Sequence, residues 1–329
     1  TQVAYLSDAG GEYDIWIDSA TGQGEARRIT DLGEGFRHTL RWSPDGSRIA
    51  FADHTLGLFF VDVTTGDVTL VDRARVEPMD IGLEAKPISD FAWSPDSRWL
   101  AYSKIGLDQV SNIFLYSLPS GAASNASSGL FNDFGPVFTA DGRHLVFVSN
   151  RRFDPTFCDF EWERVYKNVA GIYALTLRAD DQPLLPPRSD ESARAGNGGD
   201  DETGGAVEVR VDVDGLAERI EALPLPAGNY RELAVARNRL LYLNGDDGDF
   251  NRFEYRQLGP RDLMSFSFSD REEKKLVEEV DAYRLSAARS HVVYLKRGSV
   301  AIKKVGKEDH EKRADDPEKR SRETTVDLD

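Results

Sequence analysis

Leu40-Arg41-Trp42-Ser43-Pro44-Asp45-Gly46-Ser47-Arg48-Ile49-Ala50-Phe51 reads as a strand, a tight turn and a second strand. Leu40 and Trp42 alternate with polar neighbours at the two-residue period of a half-buried strand. Pro44 presets the first central position of a turn, Asp45 bonds locally and Gly46 accepts a positive φ. Ile49-Ala50-Phe51 then resumes an apolar strand.

The unit recurs. Trp93-Ser94-Pro95-Asp96-Ser97-Arg98-Trp99-Leu100-Ala101-Tyr102 follows 51 residues later, and Phe138-Thr139-Ala140-Asp141-Gly142-Arg143-His144-Leu145-Val146-Phe147 after another 45. Val3-Ala4-Tyr5-Leu6, Arg239-Leu240-Leu241-Tyr242-Leu243 and His291-Val292-Val293-Tyr294-Leu295 match the second strand alone. Six copies are thus anchored on Tyr5, Phe51, Tyr102, Phe147, Tyr242 and Tyr294, and the long gap between the fourth and fifth reads as an insertion.

After each of the first four anchors comes a polar loop and a third strand: Ile15-Trp16-Ile17, Leu58-Phe59-Phe60-Val61, Ile113-Phe114-Leu115-Tyr116 and Ile172-Tyr173-Ala174-Leu175. A fourth, more polar strand follows, as in 25–30 and 67–72. Four short antiparallel strands per repeat of about 40–50 residues predict an all-β chain, a β-propeller of four-stranded blades. The apolar spacing of two excludes a helical solenoid, and a four-strand period does not fit tandem seven-stranded sandwiches. Trp42, Trp93 and Phe138, at equivalent positions, are expected to wedge between blades, with Pro44, Asp45, Gly46, Asp96 and Asp141 building the turns.

The expected blades are 1–35, 36–80, 81–128, 129–228, 229–280 and 281–305. Within the fourth, residues 179–205 carry seven acids and two bases and read as a disordered insertion. Val207 onward should return to strand and finish that blade. Residues 306–329 read as a charged linker. The chain starts on a second strand and the last blade stops after its third. The open edges are expected to close as a smaller ring, to self-associate, or to be filled by the tail near residues 325–328.

The net charge of −16 includes −5 from the insertion and −3 from the tail. That balance argues against nucleic acid, whose phosphates call for Lys and Arg, and it suits cationic or peptide partners. No apolar run approaches the ~20 residues that span a membrane. The single Cys158 leaves no intrachain disulfide.

No catalytic constellation, metal set or cofactor motif emerges. The five histidines are isolated, and neither a Gly-x-Ser-x-Gly elbow nor a Gly-rich phosphate loop is present. Asp246-Asp247-Gly248-Asp249 lacks the Gly and Glu of a calcium loop and reads as a polar blade loop. Two features on an enlarged loop are candidates for peptide contact or gating. Arg151 and Arg152 could grip a carboxylate, or could pair with Asp154, Asp159 or Glu161 to order the loop. Asp159-Phe160-Glu161-Trp162 could be a recognition face or a loop anchor.

The Trp-Ser-Pro-Asp-Gly repeat resembles the TolB-like or WD40-like (PD40) propeller repeat. Longer stretches narrow the match: Tyr5-Leu6-Ser7-Asp8, Trp93 through Lys104, Val148-Ser149-Asn150-Arg151-Arg152-Phe153-Asp154-Pro155, Asp159-Phe160-Glu161-Trp162, Ile172 through Arg178, and Leu223-Pro224-Leu225-Pro226-Ala227-Gly228-Asn229-Tyr230. Together they resemble the larger, seven-bladed propeller of the tricorn protease family.

The resemblance implies a non-catalytic module that admits and sieves peptides for a serine-peptidase half lying elsewhere in the parent. It implies as partners peptides and the parent's catalytic and PDZ-like domains, and a cytoplasmic setting, with the periplasm as alternative. No catalytic residue of the family maps onto this chain. The competing function is a stand-alone TolB-like interaction propeller. A propeller enzyme such as a lyase or lactonase would need clustered His or convergent acids, which the loops do not offer.

Overall fold

The structure, a computed structural model, describes residues 2–74, 88, 90–152, 156–157, 164–165, 168–188, 207–245, 261–305 and 324–326. It falls into two compact units, residues 1–147 with 174–221, and residues 148–173 with 222–329.

In the first unit, β1 (Gln2–Ser7), β2 (Asp14–Ser19) and β3 (Arg27–Arg28) form one antiparallel sheet. β4 (Arg37–Trp42), β5 (Arg48–Asp53), β6 (Gly57–Asp62) and β7 (Val68–Arg73) form the second. β8 (Phe91–Trp93), β9 (Trp99–Ile105), β10 (Ser111–Ser117) and β11 (Ala122–Asn125) form the third. A fourth sheet, with residues assigned to both units, has the order β12 (Asp133–Phe138), β13 (His144–Ser149), β16 (Gly171–Thr176), β17 (Ile220–Ala222), and a two-stranded ribbon of β14 (Thr156–Phe157) and β15 (Arg164–Val165) falls in the chain between its second and third strands.

In the second unit, β18 (Arg231–Ala236), β19 (Arg239–Asn244), β20 (Arg261–Ser267) and β21 (Glu273–Val280) make the fifth sheet. β22 (Ala282–Leu285), β23 (His291–Lys296), β24 (Ser299–Lys304) and β25 (Thr324–Val326) make the sixth. Among the described residues the one helical turn is a 3-10 turn over Leu216–Arg219. The chain is an all-β propeller fold whose first sheet has three described strands and whose other five blades have four, and all six anchors lie on the strand expected of them, in β1, β5, β9, β13, β19 and β23.

Face-to-face packing of neighbouring sheets holds the blades. Ile15, Ile17 and Ile29 of the first sheet meet Ile49, Phe51 and Val61 of the second. Ala50, Ala52 and Leu58 of the second meet Trp93, Leu100 and Tyr102 of the third. In the other unit Leu241, Leu243 and Leu263 meet Tyr283, Val292 and Tyr294. A blade sandwiched on both faces buries successive residues rather than alternate ones. β5 and β13 are accordingly buried almost throughout, whereas outer β7 buries only Val71. Each large side chain so buried contributes about 1.5–3 kcal/mol.

The Trp-Ser-Pro-Asp-Gly turn is a self-satisfying clasp. The Ser43 hydroxyl donates to Asp45 Oδ1 (2.6 Å) while accepting from the Arg48 amide (2.9 Å), and Asp45 also accepts from the Ser47 amide (3.0 Å). Gly46 closes the turn at φ 72°, with its amide on the Ser43 carbonyl (2.9 Å). Ser94 and Asp96 repeat this with Ser97 at φ 60°, and Thr139 and Asp141 with Gly142 at φ 70°. Trp93 is buried, donates from Nε1 to the Arg41 carbonyl of the preceding blade (3.0 Å), and meets Phe60 edge-on at 6.2 Å. Phe138 is buried, and Trp42 half-buried against the core shared by the first two sheets.

One segment differs from the sequence reading. Residues 207–215 lie along the turns instead of forming a ladder strand, because their polar groups are already taken. The Val209 amide donates to Asp96 Oδ2 (2.8 Å) and its carbonyl accepts from Trp99 Nε1 (3.2 Å). Val209 also fills the space beside Gly142, where a Cβ would stand 2.5 Å from Val209 Cγ2. The fourth strand of that blade is therefore only the short β17. Within the charged tail, Thr324–Val326 pairs with β24 and gives the sixth sheet its fourth strand, one of the courses expected for that open edge. The acidic insertion lies mostly outside the described residues.

Candidate functional site

The enlarged loop after β13 begins at the end of a fully buried strand. Arg151 turns back onto its own blade. Its Nε donates to Ser149 Oγ (2.8 Å) and its guanidinium carbon stands 5.0 Å from the centroid of the Tyr173 ring, a cation–π arrangement that holds the side chain in place. Arg152 is exposed. Its amide donates to the Val169 carbonyl (3.0 Å), and its stem passes over Gly171, where a Cβ would approach Arg152 Nε to 3.4 Å. The two arginines, adjacent in sequence, thus have different surroundings, one folded onto an aromatic face and one presented outward. Asp154, Asp159, Glu161 and Trp162 lie outside the described residues.

The Leu223-to-Tyr230 segment is a strap from the fourth blade to the fifth. Leu223 and Leu225 are buried, and the Leu223 amide donates to the Ile172 carbonyl (2.9 Å). Gly228 pairs with Ala170, and a Cβ there would lie 3.1 Å from Asn244 Oδ1 and 3.2 Å from the Tyr230 ring, so the crossing admits little beyond glycine. Asn229 donates its amide to Asn244 Oδ1 (3.2 Å) and its Nδ2 to the Gly245 carbonyl (3.2 Å). Tyr230 is buried, donates to the Pro226 carbonyl (2.5 Å) and packs edge-on against Tyr242. Burial first, and then the charge of Glu273, push the Tyr230 hydroxyl up to about 12, while Arg152 pulls the other way. Tyr242, hydrogen-bonded to Glu273, is raised further, mainly by burial.

The sequence marked Arg151, Arg152 and the strap as separate features. The structure puts Arg152, Gly171 and the strap on one rim, where β13 ends and β16 and β18 begin. Asn244 and Glu273 were not marked, since Asn244 is one polar residue closing a strand-like run and Glu273 is one of six consecutive charged residues, 270–275. Pro44, Asp45, Gly46, Asp96, Asp141, Trp42, Trp93 and Phe138 belong to the turns and inter-blade packing already described. No group of three or more His, Cys, Asp or Glu side chains suited to a metal ion occurs among the described residues.

Residues 1–306 match the family model of the tricorn protease second β-propeller domain. The tricorn protease homolog 1 of Streptomyces coelicolor is 32% identical over 254 residues, covering 73% of this chain and 22% of that protein. The tricorn protease of Thermoplasma volcanium is 25% identical over 299 residues, covering 89% of this chain and 27% of that protein. Among solved structures, the crystal structure of the tricorn protease superposes with a TM-score of 0.73 at 20% identity, over 93% of this chain and 28% of that one. TolB from Acinetobacter baumannii superposes at 0.53 and 14% identity, over 92% of this chain and 61% of that one. The chain spans about a quarter of the length of these tricorn relatives. It belongs to the tricorn protease second β-propeller domain family.

Proposed function

We propose that this chain is a non-catalytic module of a larger peptidase and that it admits and sieves peptides on their way to a catalytic centre outside it. The observation that carries the reading is the family match across residues 1–306 combined with the small share of each tricorn relative that the chain spans. Arg152, exposed at the rim and unencumbered by the Tyr173 contact that holds Arg151, is the side chain we assign to peptide contact. The stand-alone adaptor reading has only fold-level likeness to TolB behind it.

The test uses the full-length parent polypeptide and a series of fluorogenic peptides of increasing length. This chain by itself should hydrolyse none of them. The parent should hydrolyse them with a length preference that broadens when residues 1–306 are deleted. Hydrolysis by the isolated chain that a substitution within it abolishes, or an unchanged length profile in the deletion, overturns the reading.

A further inference from the structure

At one end of the first unit two loops present aromatic rings to solvent. Residues 8–13 join β1 to β2 and end on Tyr13, and residues 29–36 join β3 to β4 and end on Phe36. The two rings meet with their centroids 5.3 Å apart at an interplanar angle of 38°. Tyr13 nevertheless stays 38% exposed and Phe36 64%. A lone apolar residue on a surface carries no message. Two aromatic residues from separate loops, in contact and both uncovered, make a surface of their own.

The backbone beneath the rings holds them there. Arg37, the first residue of β4, is buried, and its Nη1 lies within hydrogen-bond distance of the carbonyls of Tyr13 (3.0 Å), Gly33 (2.8 Å) and Gly35 (2.6 Å). Its Nη2 donates to the Leu32 carbonyl (2.8 Å). One guanidinium thus ties the loop that ends on Tyr13 to the loop that ends on Phe36. The His54 amide donates to the Phe36 carbonyl (2.9 Å). The His54 ring lies against Gly35, where φ is 110° and a Cβ would collide with the imidazole. Taking a charge out of water is costly, and the turn that this charge organises leaves most of a phenylalanine in solvent. Stability alone would favour covering that ring.

The charge on these two loops has one sign. Residues 8–13 and 29–36 contain Asp8, Glu12, Asp31 and Glu34 and neither Lys nor Arg. Asp31 is paired with Arg28 (2.6 Å). Glu12 is the chain neighbour of Tyr13, and Glu34 stands two residues before Phe36. The buried Arg37 is turned onto its carbonyls. Aromatic faces carry a negative quadrupole that attracts a cation, and exposed carboxylates on the same loops add to that attraction when salt is low. An anionic side chain would meet repulsion there, and a neutral one would gain only the apolar contact.

We infer that Tyr13 and Phe36 form a docking platform for a basic side chain, the guanidinium of Arg or the ammonium of Lys, carried by an extended peptide. The cation packs on the exposed rings, and the carboxylates of Glu12 and Glu34 supply the counter-charge. The choice of a peptide as carrier rests on the peptide-handling reading above. The preference for a cation rests on the two loops alone.

The experiment titrates this chain at low ionic strength with three acetylated, amidated pentapeptides that carry Arg, Leu or Glu between glycines. Calorimetry gives the affinity, and amide NMR shifts at residues 33–36 give the place. The Arg peptide should bind about tenfold tighter than the Leu peptide, the Glu peptide should not bind, and added salt should weaken the Arg peptide. Tyr13→Ala and Phe36→Ala should each weaken the Arg peptide roughly three- to thirtyfold. Both should melt near the wild type, because the rings are exposed. Tyr13→Phe, which keeps the ring, should keep the affinity. Leu70→Ala, at an exposed apolar position on β7, should change nothing. Equal affinity for the Arg and Leu peptides, no binding of the Arg peptide in the millimolar range, or wild-type affinity in both Ala variants overturns the inference. So does a large loss of stability in those variants, which would assign the rings to the core. An unchanged length profile in the parent would defeat the sieving reading and leave this binding in place, so the two failures are distinct.

Discussion

The hairpins of the first unit and those of the second make the same turn with different chemistry. In the first unit Ser43, Ser94 and Thr139 each donate to an aspartate two residues on and accept the amide of the returning strand. In the second, Ser286 still accepts from the His291 amide (3.1 Å), and Arg289 takes the left-handed position at φ 53°. Ala288 stands where the aspartate would be. The fifth blade shortens the turn further, pairing Ala236 with Arg239 around Arg237 at φ 51°. Strand pairing and inter-blade burial therefore suffice to form a blade, and the aspartate adds contacts that reach beyond it. Asp96 holds Val209, and Ser97 Oγ accepts from the Asp45 amide of the neighbouring turn (3.1 Å).

The largest effect should come from Asp96→Ala, which strips the Ser94 hydroxyl and the Arg98 and Val209 amides of their acceptor. At roughly 1 kcal/mol per hydrogen bond the loss should be about 2–4 kcal/mol. Urea denaturation should show it, together with faster proteolysis near residue 209. If Asp96→Ala costs nothing, the aspartate is ornamental and the contrast between the units fails.

A smaller and pH-dependent effect is expected at Asp45. Burial raises its carboxyl, but hydrogen bonds from Ser43, Ser47 and Ser97 outweigh that and hold it below the usual carboxylate range. A carboxyl depressed in the folded state stabilises the protein above its unfolded value, about 3.9, and that contribution fades as pH falls through the folded value. Asp45→Asn should therefore melt below the wild type at neutral pH, with the gap closing as the pH falls through the folded-state value. A gap independent of pH would mean that the amide loses geometry rather than charge.

The smallest effect runs the other way. Ala288→Asp should give the sixth blade the clasp it lacks, with Ser286 Oγ as donor, and raise stability by ~0.5–1 kcal/mol. The melting temperature should rise slightly in this variant and not in Ala287→Asp, one position off. Equal behaviour of the two would show that the second unit's turn cannot accept the first unit's chemistry.

Much of the fold could be read from these residues because a four-stranded blade writes itself locally. A two-residue apolar period, a Pro-Asp-Gly turn and an aromatic anchor are all settled within about ten residues of chain. The rim was legible only in pieces. Arg151 and Arg152 look alike in sequence, and only the position of Tyr173 separates them.

By itself the sequence determined the six anchored copies, the turn chemistry at Asp45, Asp96 and Asp141, and the absence of a recognisable nucleophile–base motif. Tertiary structure decided how the remaining backbone groups were satisfied. Residues 207–215 alternate like a strand, yet Val209 bonds to Asp96 and Trp99 and the Asp212 amide to the Leu177 carbonyl, so no ladder forms. Thr324–Val326, in a charged tail, pairs with β24 as the outer strand of its sheet. Burial and partner choice are properties of neighbours in space, and the same local pattern ends as strand or strap according to which donors and acceptors are still open when the chain arrives.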